Sequence, residues 1–153
     1  YQRFGLIGSQ GGLDLRATKR FDAFSKIVTS LGAEIVAREN DTQASSMEAG
    51  RKMTSALLDE PNPPDALYYA NDDLAAGGLM HCLANGIDVP KEVALAGFNG
   101  LGFLSALPKR ITSTVTPRYK IGADAASWIL RTSSADAGLK SDLGATLRIG
   151  ETT

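Results

Sequence analysis

The feature that most constrains the fold of this chain is a regular alternation of short apolar runs with longer amphipathic segments. Each run is nearly continuous in apolar residues, as in a strand that is buried on both faces. Segments with apolar residues three or four positions apart separate the runs. The alternation predicts an α/β fold, a parallel sheet flanked by helices on both faces. The four clearest runs are FGLIG at 4–8, AEIVA at 33–37, ALYYA at 66–70 and VALAGF at 93–98.

The amphipathic segments predict the helices of this fold. In the first helix, Gly32 is placed to end the chain's strongest apolar stripe. A second helix is predicted from Ala44 to about Asp59, before the prolines of EPNPP. A third is predicted from Leu74 to Asn85, with Asp72 or Asp73 as its cap. Further along, the pattern predicts an extended segment at 111–117, a helix at 119–131 and a strand at 145–150. The stripe of the first helix consists of Ala17, Phe21, Phe24, Val28 and Leu31.

Polar clusters follow the predicted strands. Right-handed crossovers bring the carboxyl ends of parallel strands to one edge of the sheet, and ligands of open α/β sheets bind there. We therefore expect these clusters to converge on a binding site. They are Ser9-Gln10, Glu39–Asp41, Asn71-Asp72 and Asn99.

Length and composition limit the class of protein. The 153 residues suit one domain, and 43% hydrophobic with 22% charged residues is ordinary for a globular chain. A net charge of −1 without clustered Lys and Arg argues against a nucleic-acid-binding surface. No apolar run approaches the length of a membrane span. Cys82 is the single cysteine, which excludes an internal disulfide and fits a reducing cytosol. A cytoplasmic location is expected.

Catalytic and metal chemistry find little support in the sequence. Asp72 and Asp73 diverge at a helix start, and no nucleophile with an adjacent base is visible. His81 falls in mid-helix, where we expect a surface or interface residue, and Cys82 is expected to be a small buried hydrophobe. The loop GSQGG lacks the spacing and the lysine of phosphate-binding motifs, so a plain turn is favoured over an anion site. We expect no enzyme activity, no metal site and no cofactor.

One stretch carries a specific family resemblance. YYANDDLAAGGLMHCLANGIDVPKEVALAGFNG resembles the C-terminal subdomain of LacI/GalR-family transcription regulators. The family pattern has Asn-Asp after a strand, a turn of Gly, Ile or Leu, any residue, Val or Ile, and Pro, and a strand that ends in Gly, Phe or Tyr, and Asp. Here these are Asn71-Asp72, residues 86–90 and 97–99. RATKRFDAF resembles an earlier family helix, with Arg20 at its arginine position.

The resemblance implies that residues 1–153 form one subdomain of a periplasmic-binding-protein-like (type I) fold. A DNA-binding helix-turn-helix and a first subdomain would then belong to a longer regulator. Helix 119–131 would pack on that first subdomain; without it, we expect the helix to be disordered, folded onto this chain or packed on another chain. Helix 74–85 and loop 101–106 resemble the family's homodimer surface. DNA would be contacted only through the absent domain.

The resemblance also assigns ligand-binding positions to Arg20, Asn71, Asn99 and Arg118. Arg16 joins them because it shares a helix face with Arg20. The loop of residues 40–45 is expected to line one side. The family usually has Asp at the position of Asn99, and loss of that charge beside the arginines favours an anion.

The predicted function is the effector-binding and dimerisation part of a regulator that senses a sugar or sugar acid. GFNGL resembles gluconate-type regulators in particular. The alternative is a periplasmic sugar-binding component of a transporter.

Overall fold

The computed structural model of this chain describes residues 1–9, 13–131 and 142–153. Gln10, the glycines of the predicted GSQGG turn that follow it, and nearly all of the predicted loop at 133–142 lie outside the described residues.

The described residues form one six-stranded sheet with the order β2-β1-β3-β4-β5-β6. Neighbouring strands are parallel from β2 to β5, and β6 pairs antiparallel with β5. The prediction of a parallel sheet flanked by helices is confirmed from β2 to β5, and the antiparallel orientation of β6 was not predicted. The strands are β1 (Arg3–Gly8), β2 (Glu34–Asn40), β3 (Ala66–Tyr69), β4 (Ala94–Asn99), β5 (Thr112–Val115) and β6 (Thr146–Arg148).

Helices occupy the connections that the alternation predicts. A short 3-10 segment, Gly102–Ala106, takes the place of a helix between β4 and β5. The helices are α1 (Leu15–Ser30), α2 (Met47–Leu58), α3 (Asp72–Ala84) and α4 (Arg118–Arg131).

Local signals set the ends of α1. The side chain of Asp14 accepts hydrogen bonds from the amides of Arg16 and Ala17 and so caps the first turn. Gly32 has a φ of 82°, the left-handed conformation that follows many helices.

Leu31 is 79% exposed, so the prediction that it belongs to the buried apolar stripe of α1 is wrong. The reason is that the helix ends at Ser30 and the side chain of Leu31 no longer follows the helical face.

The first turn of α3 differs from the prediction. Asn71 is the cap, and its Oδ1 accepts from the amide of Leu74 at 3.1 Å. The predicted cap by Asp72 or Asp73 is wrong, because the helix begins at Asp72, two residues before its apolar pattern. Asp72 is fully buried instead.

Helices α2 and α3 pack closely on one face of the sheet. A β-carbon on Gly50 would overlap the backbone of Leu74, and one on Gly77 would overlap the carbonyl of Met47. The two helices therefore approach backbone to backbone. Behind them, the hydroxyls of Thr54 and Tyr69 hydrogen-bond at 2.8 Å in the core.

This packing buries most of α3. Cys82 is fully buried, as predicted. His81 is only 8% exposed, so its expected surface position is wrong, because α3 packs against α2 and against β3 and β4. The same burial leaves little of α3 to serve as the expected dimer surface, apart from residues such as Leu83 at 38% exposure.

The opposite face of the sheet is covered only in part, contrary to the expected cover on both faces. Among the described residues, α1 lies over β1 and β2, while an apolar cavity of about 410 Å³ opens over the strands beyond. Phe24 and Tyr68 stack at one wall, with ring centroids 4.5 Å apart, and Leu147 lies at the other.

Helix α4 confirms the predicted helix at 119–131. Tyr119 and Leu130 are 91% and 86% exposed, so the helix is not folded onto the sheet. Packing of α4 on another chain or subdomain stays a prediction.

Candidate functional site

A cavity of about 590 Å³ opens at the carboxyl edge of the central strands. Residues from the start of α1, from the ends of β3 and β4 and from the start of α4 form its wall. All five predicted ligand-binding residues lie on it. The lining residues are Asp14, Arg16, Arg20, Ser45, Ala70, Asn71, Phe98, Asn99, Thr116, Arg118 and Ile121.

One predicted cluster does not reach this cavity. Glu39–Asp41 are absent from its lining, and Glu39 lies in a separate surface depression beside Pro61. The reason is topological, since β2 is the edge strand and β1 separates it from the strands that carry the site. Ser9 is connected indirectly, through a 2.7 Å hydrogen bond to the hydroxyl of Ser45.

Arg20 enters the cavity in a defined position. Its Nη2 donates to the carbonyl of Ala70 at 2.9 Å. Its guanidinium lies over the ring of Phe98, 3.9 Å from the centroid, in a cation–π contact. Its Nε is buried without a hydrogen-bond partner among the described residues. The side chain is thus oriented by the protein while part of its donor capacity stays available.

Asn71 links the cap of α3 to the loop before α2. While its Oδ1 caps the helix, its Nδ2 donates to the hydroxyl of Ser45 at 2.6 Å. The amide orientation is therefore set from both ends. Ser45 was included in the loop expected to line the cavity, but its role in holding Asn71 could not be read from the sequence.

Asn99 occupies an unusual backbone conformation at the end of β4, with a φ of 116°. Asparagine tolerates positive φ better than most residues. The Nη2 of Arg118 donates to the carbonyl of Asn99 at 2.8 Å and so joins the start of α4 to the end of β4. These two predicted residues are in direct contact.

Arg16 is the most exposed of the three cavity arginines. Its Nε lies 3.3 Å from Oδ1 of Asp14, and its side chain is 88% exposed. Partial burial would raise the pKa of Asp14, but hydrogen bonds from the amides of Ala17 and Arg16 and from the Arg16 guanidinium hold that pKa below its ordinary value. Asp14 is therefore ionised at neutral pH, and this exposed pair is weakly bound.

The charge balance of the wall favours an anionic ligand. Three arginines and one aspartate line the cavity, so positive charge exceeds negative charge. Amide groups of Asn71 and Asn99 can both donate and accept hydrogen bonds. Guanidinium and amide groups together suit a small ligand with hydroxyl and carboxylate groups.

Metal chemistry has no candidate cluster here. Within residues 1–9, 13–131 and 142–153, His, Cys, Asp and Glu side chains form no group of three or more that could hold a metal ion.

Sequence reasoning missed five of the lining residues, which are Asp14, Ala70, Phe98, Thr116 and Ile121. Phe98 was read only as the end of an apolar strand, although its position next to Asn99 was a usable signal. Asp14 was not considered, although an Asp immediately before a helical stripe is a typical cap. The place of Ile121 on the cavity wall depends on where α4 lies, which the sequence of the helix does not show.

Residues 1–153 match the family described as the periplasmic binding protein-like domain. The chain belongs to this family. Its fold agrees with that membership, as a mostly parallel sheet with the cavity at the carboxyl edge of the strands.

Curated relatives of this periplasmic-binding-protein-like chain are transcriptional regulators. The HTH-type transcriptional regulator GntR of Pseudomonas aeruginosa is 34% identical over 130 residues, which are 84% of this chain and 37% of that protein. The HTH-type transcriptional regulator IdnR of Escherichia coli is 32% identical over 93 residues, which are 61% of this chain and 28% of that protein. The chain thus spans well under half the length of these relatives.

Solved structures that superpose on this chain also include transcriptional regulators. A LacI-family transcriptional regulator from Silicibacter pomeroyi superposes with a TM-score of 0.91 at 38% identity, over 99% of this chain and 46% of that one. The transcription regulator GntR from Chromobacterium violaceum gives a TM-score of 0.89 at 34% identity, over 99% of this chain and 56% of that one. No described helix is long and apolar enough to span a lipid bilayer.

Proposed function

We propose that this chain is the effector-binding part of a transcriptional regulator and that its effector is a sugar acid, a polyhydroxylated carboxylate such as gluconate. The observation that carries the proposal is the excess of guanidinium groups, those of Arg16, Arg20 and Arg118, on a cavity with one carboxylate. Arginine binds carboxylates in a planar, two-pronged geometry that lysine does not offer. A cavity of about 590 Å³ suits a small ligand.

The side-chain amides of the cavity would bind the hydroxyl groups of the ligand. A hydroxyl group both donates and accepts, and so does the side chain of Asn99. A carboxylate at position 99 could accept hydrogen bonds but not donate them, and it would repel an anionic ligand. The resemblance of GFNGL to gluconate-type regulators supports the same ligand class.

The regulatory part of the proposal rests on the relatives. Those that match this chain bear the names of transcriptional regulators, which favours this role over a transport component. Because the chain spans only part of their length, contact with DNA is assigned to a part of the protein beyond residues 1–153. We propose a homodimer in the cytoplasm, in which α3 contributes only its exposed residues.

Isothermal titration calorimetry with gluconate and sorbitol tests the ligand class. The two differ by a carboxylate in place of one hydroxymethyl group. We expect gluconate to bind at least about tenfold more tightly, since a charge-assisted hydrogen bond contributes about 1.5–3 kcal/mol. Added salt should weaken gluconate binding and leave sorbitol binding unchanged. Equal or tighter binding of sorbitol would contradict the sugar-acid proposal.

Two arginine variants test whether gluconate binds in this cavity. Arg118→Gln should lower the affinity for gluconate and leave the affinity for sorbitol unchanged. Arg51→Gln is the matched control, because Arg51 is an exposed arginine of α2 that pairs with Glu48 and does not line the cavity. Equal effects of both variants would point to nonspecific attraction by overall charge.

A further inference from the structure

The segment that carries Asn99 leaves the sheet in a conformation that few residues adopt. Asn99 and Gly100 both have positive φ, 116° and 67°. A β-carbon on Gly100 would lie 2.6 Å from the side chain of Val115, so the turn is also tightly enclosed. Two consecutive residues of this kind persist only where the surrounding structure holds them. The position of Asn99 in the cavity therefore depends on contacts beneath the turn.

Those contacts converge on the carboxylate of Asp72. Its Oδ2 accepts from the amide of Leu101 at 2.7 Å, and its Oδ1 accepts from the hydroxyl of Ser113 at 2.6 Å. The same hydroxyl accepts from the amide of Gly100 at 3.2 Å. One fully buried side chain thus ties the turn after β4 to the start of α3 and to β5.

We infer that Asp72 is a positioning residue of the ligand cavity, whose carboxylate holds residues 99–101 in the conformation that presents Asn99. Asp72 does not line the cavity itself, so it acts through Asn99. A carboxylate suits this role because it accepts on both oxygens, towards Leu101 and towards Ser113. Asparagine would present one acceptor oxygen and one NH2 group at the same place.

Fold stability alone does not explain a charge at this position. Burial raises the pKa of Asp72, and the carboxylate of Asp73 adds to the increase, against hydrogen bonds from Ser113, Leu101 and Gly100. The folded pKa lies above the unfolded value, so the free energy of unfolding rises as pH falls through the folded pKa and is lowest above it. The cost of ionising this buried carboxyl is offset by the hydrogen bonds that it accepts from Leu101 and Ser113.

Three variants test the inference. Asp72→Ala removes both acceptors, and Asp72→Asn keeps one of them. Asp73→Asn is the matched control, because it removes a carboxylate from the same helical turn. In the described part of the chain no hydrogen bond or ion pair joins Asp73 to residues 99–101. Amide hydrogen exchange of Gly100 and Leu101, followed by NMR, reports the turn without any ligand. Gluconate titration reports the cavity.

We expect Asp72→Ala to accelerate exchange at Gly100 and Leu101 about tenfold and to weaken gluconate binding by a similar factor, since buried partners are left unpaired. Asp72→Asn, which keeps one acceptor oxygen, should give a smaller change in both. Asp73→Asn should change neither quantity. If Asp72→Ala does not fold, Asp72→Asn and Ser113→Ala carry the same test through amide exchange.

Two results would overturn the inference. One is a lower melting temperature in Asp72→Asn with unchanged exchange at Gly100 and Leu101, which would give Asp72 a structural role only. The other is a change in exchange that leaves gluconate affinity untouched. The gluconate titration rests on the proposed function, whereas the amide hydrogen exchange measurement does not. If the unmodified protein fails to bind gluconate, the proposed ligand is wrong while the amide exchange still tests Asp72.

Discussion

At the scale of single residues, Arg20 shows how the cavity holds a guanidinium in place without an ion pair. The ring of Phe98 and the carbonyl of Ala70 orient it, and in the described part of the chain no salt bridge includes it. A carboxylate partner would have neutralised its charge. Neutral partners fix its position and leave the charge for a ligand. The same logic applies to Asn71, whose position is fixed by a helix amide and a hydroxyl.

Asn99 gives a prediction at this scale. Asn99→Asp should keep the fold, because aspartate also tolerates positive φ. It places a negative charge where an anionic ligand binds, so gluconate affinity should fall about tenfold, equivalent to about 1.4 kcal/mol. Sorbitol affinity should be kept or increased, because a carboxylate accepts strongly from hydroxyls. Calorimetry with both ligands measures the two effects.

The control for this variant is Asn62→Asp, which adds the same charge on the exposed loop before β3. That loop lies at the amino edge of the sheet, away from the cavity. An equal loss of gluconate affinity in both variants would show that net charge, and not the local site, controls binding.

At the scale of helices and strands, contact between α2 and α3 depends on glycine. Gly50, Gly77 and Gly78 lie where any β-carbon would overlap atoms of a neighbouring element. The close approach gives α3 its burial and brings its first turn, with Asn71 and Asp72, against the strand ends. The geometry of the cavity is thus connected to the packing of two helices behind it.

A pair of glycine variants tests this contact. Gly77→Ala should destabilise the protein by about 1–3 kcal/mol, because the added methyl meets the carbonyl of Met47 and α3 must move. Gly122→Ala lies in exposed α4 with nothing within 4 Å of the added carbon, and it should stabilise that helix by about 0.5–1 kcal/mol. Urea unfolding and far-UV circular dichroism measure the two. Similar stability of both variants would contradict the close packing of α2 on α3.

At the scale of the whole molecule, one buried thiol reports whether the fold opens. Cys82 is the single cysteine and is fully buried in the core that α3 forms with the sheet. Burial raises the pKa of its thiol to about 11, so little of the reactive thiolate exists at neutral pH. Burial of the side chain and the low fraction of thiolate both protect Cys82 from thiol reagents in the folded state.

Thiol labelling should therefore follow global unfolding. We expect no modification of Cys82 by a water-soluble thiol reagent in native buffer and complete modification in denaturant, with native labelling rates that rise as urea lowers stability. Ala126→Cys provides the control, because it adds a thiol on an exposed position of α4 that should react at once. Rapid native labelling of Cys82 would show that the core opens locally.

The sequence by itself determined the elements, their order and the convergence of Asn71 and Asn99 on one edge of the sheet, while the family resemblance added Arg20 and Arg118. Helical and strand periods are local signals, and the topology of parallel strands brings their carboxyl ends together whatever the side chains. Within the described residues, only the tertiary structure decided the edge position of β2, the uncovered face of the sheet, the burial of His81 and the role of Asp72. These depend on contacts between distant segments, such as the bond from Ser113 to Asp72, 41 positions apart. Such a contact leaves no periodic trace in the sequence, because it is made by the way the elements pack and not by any one of them.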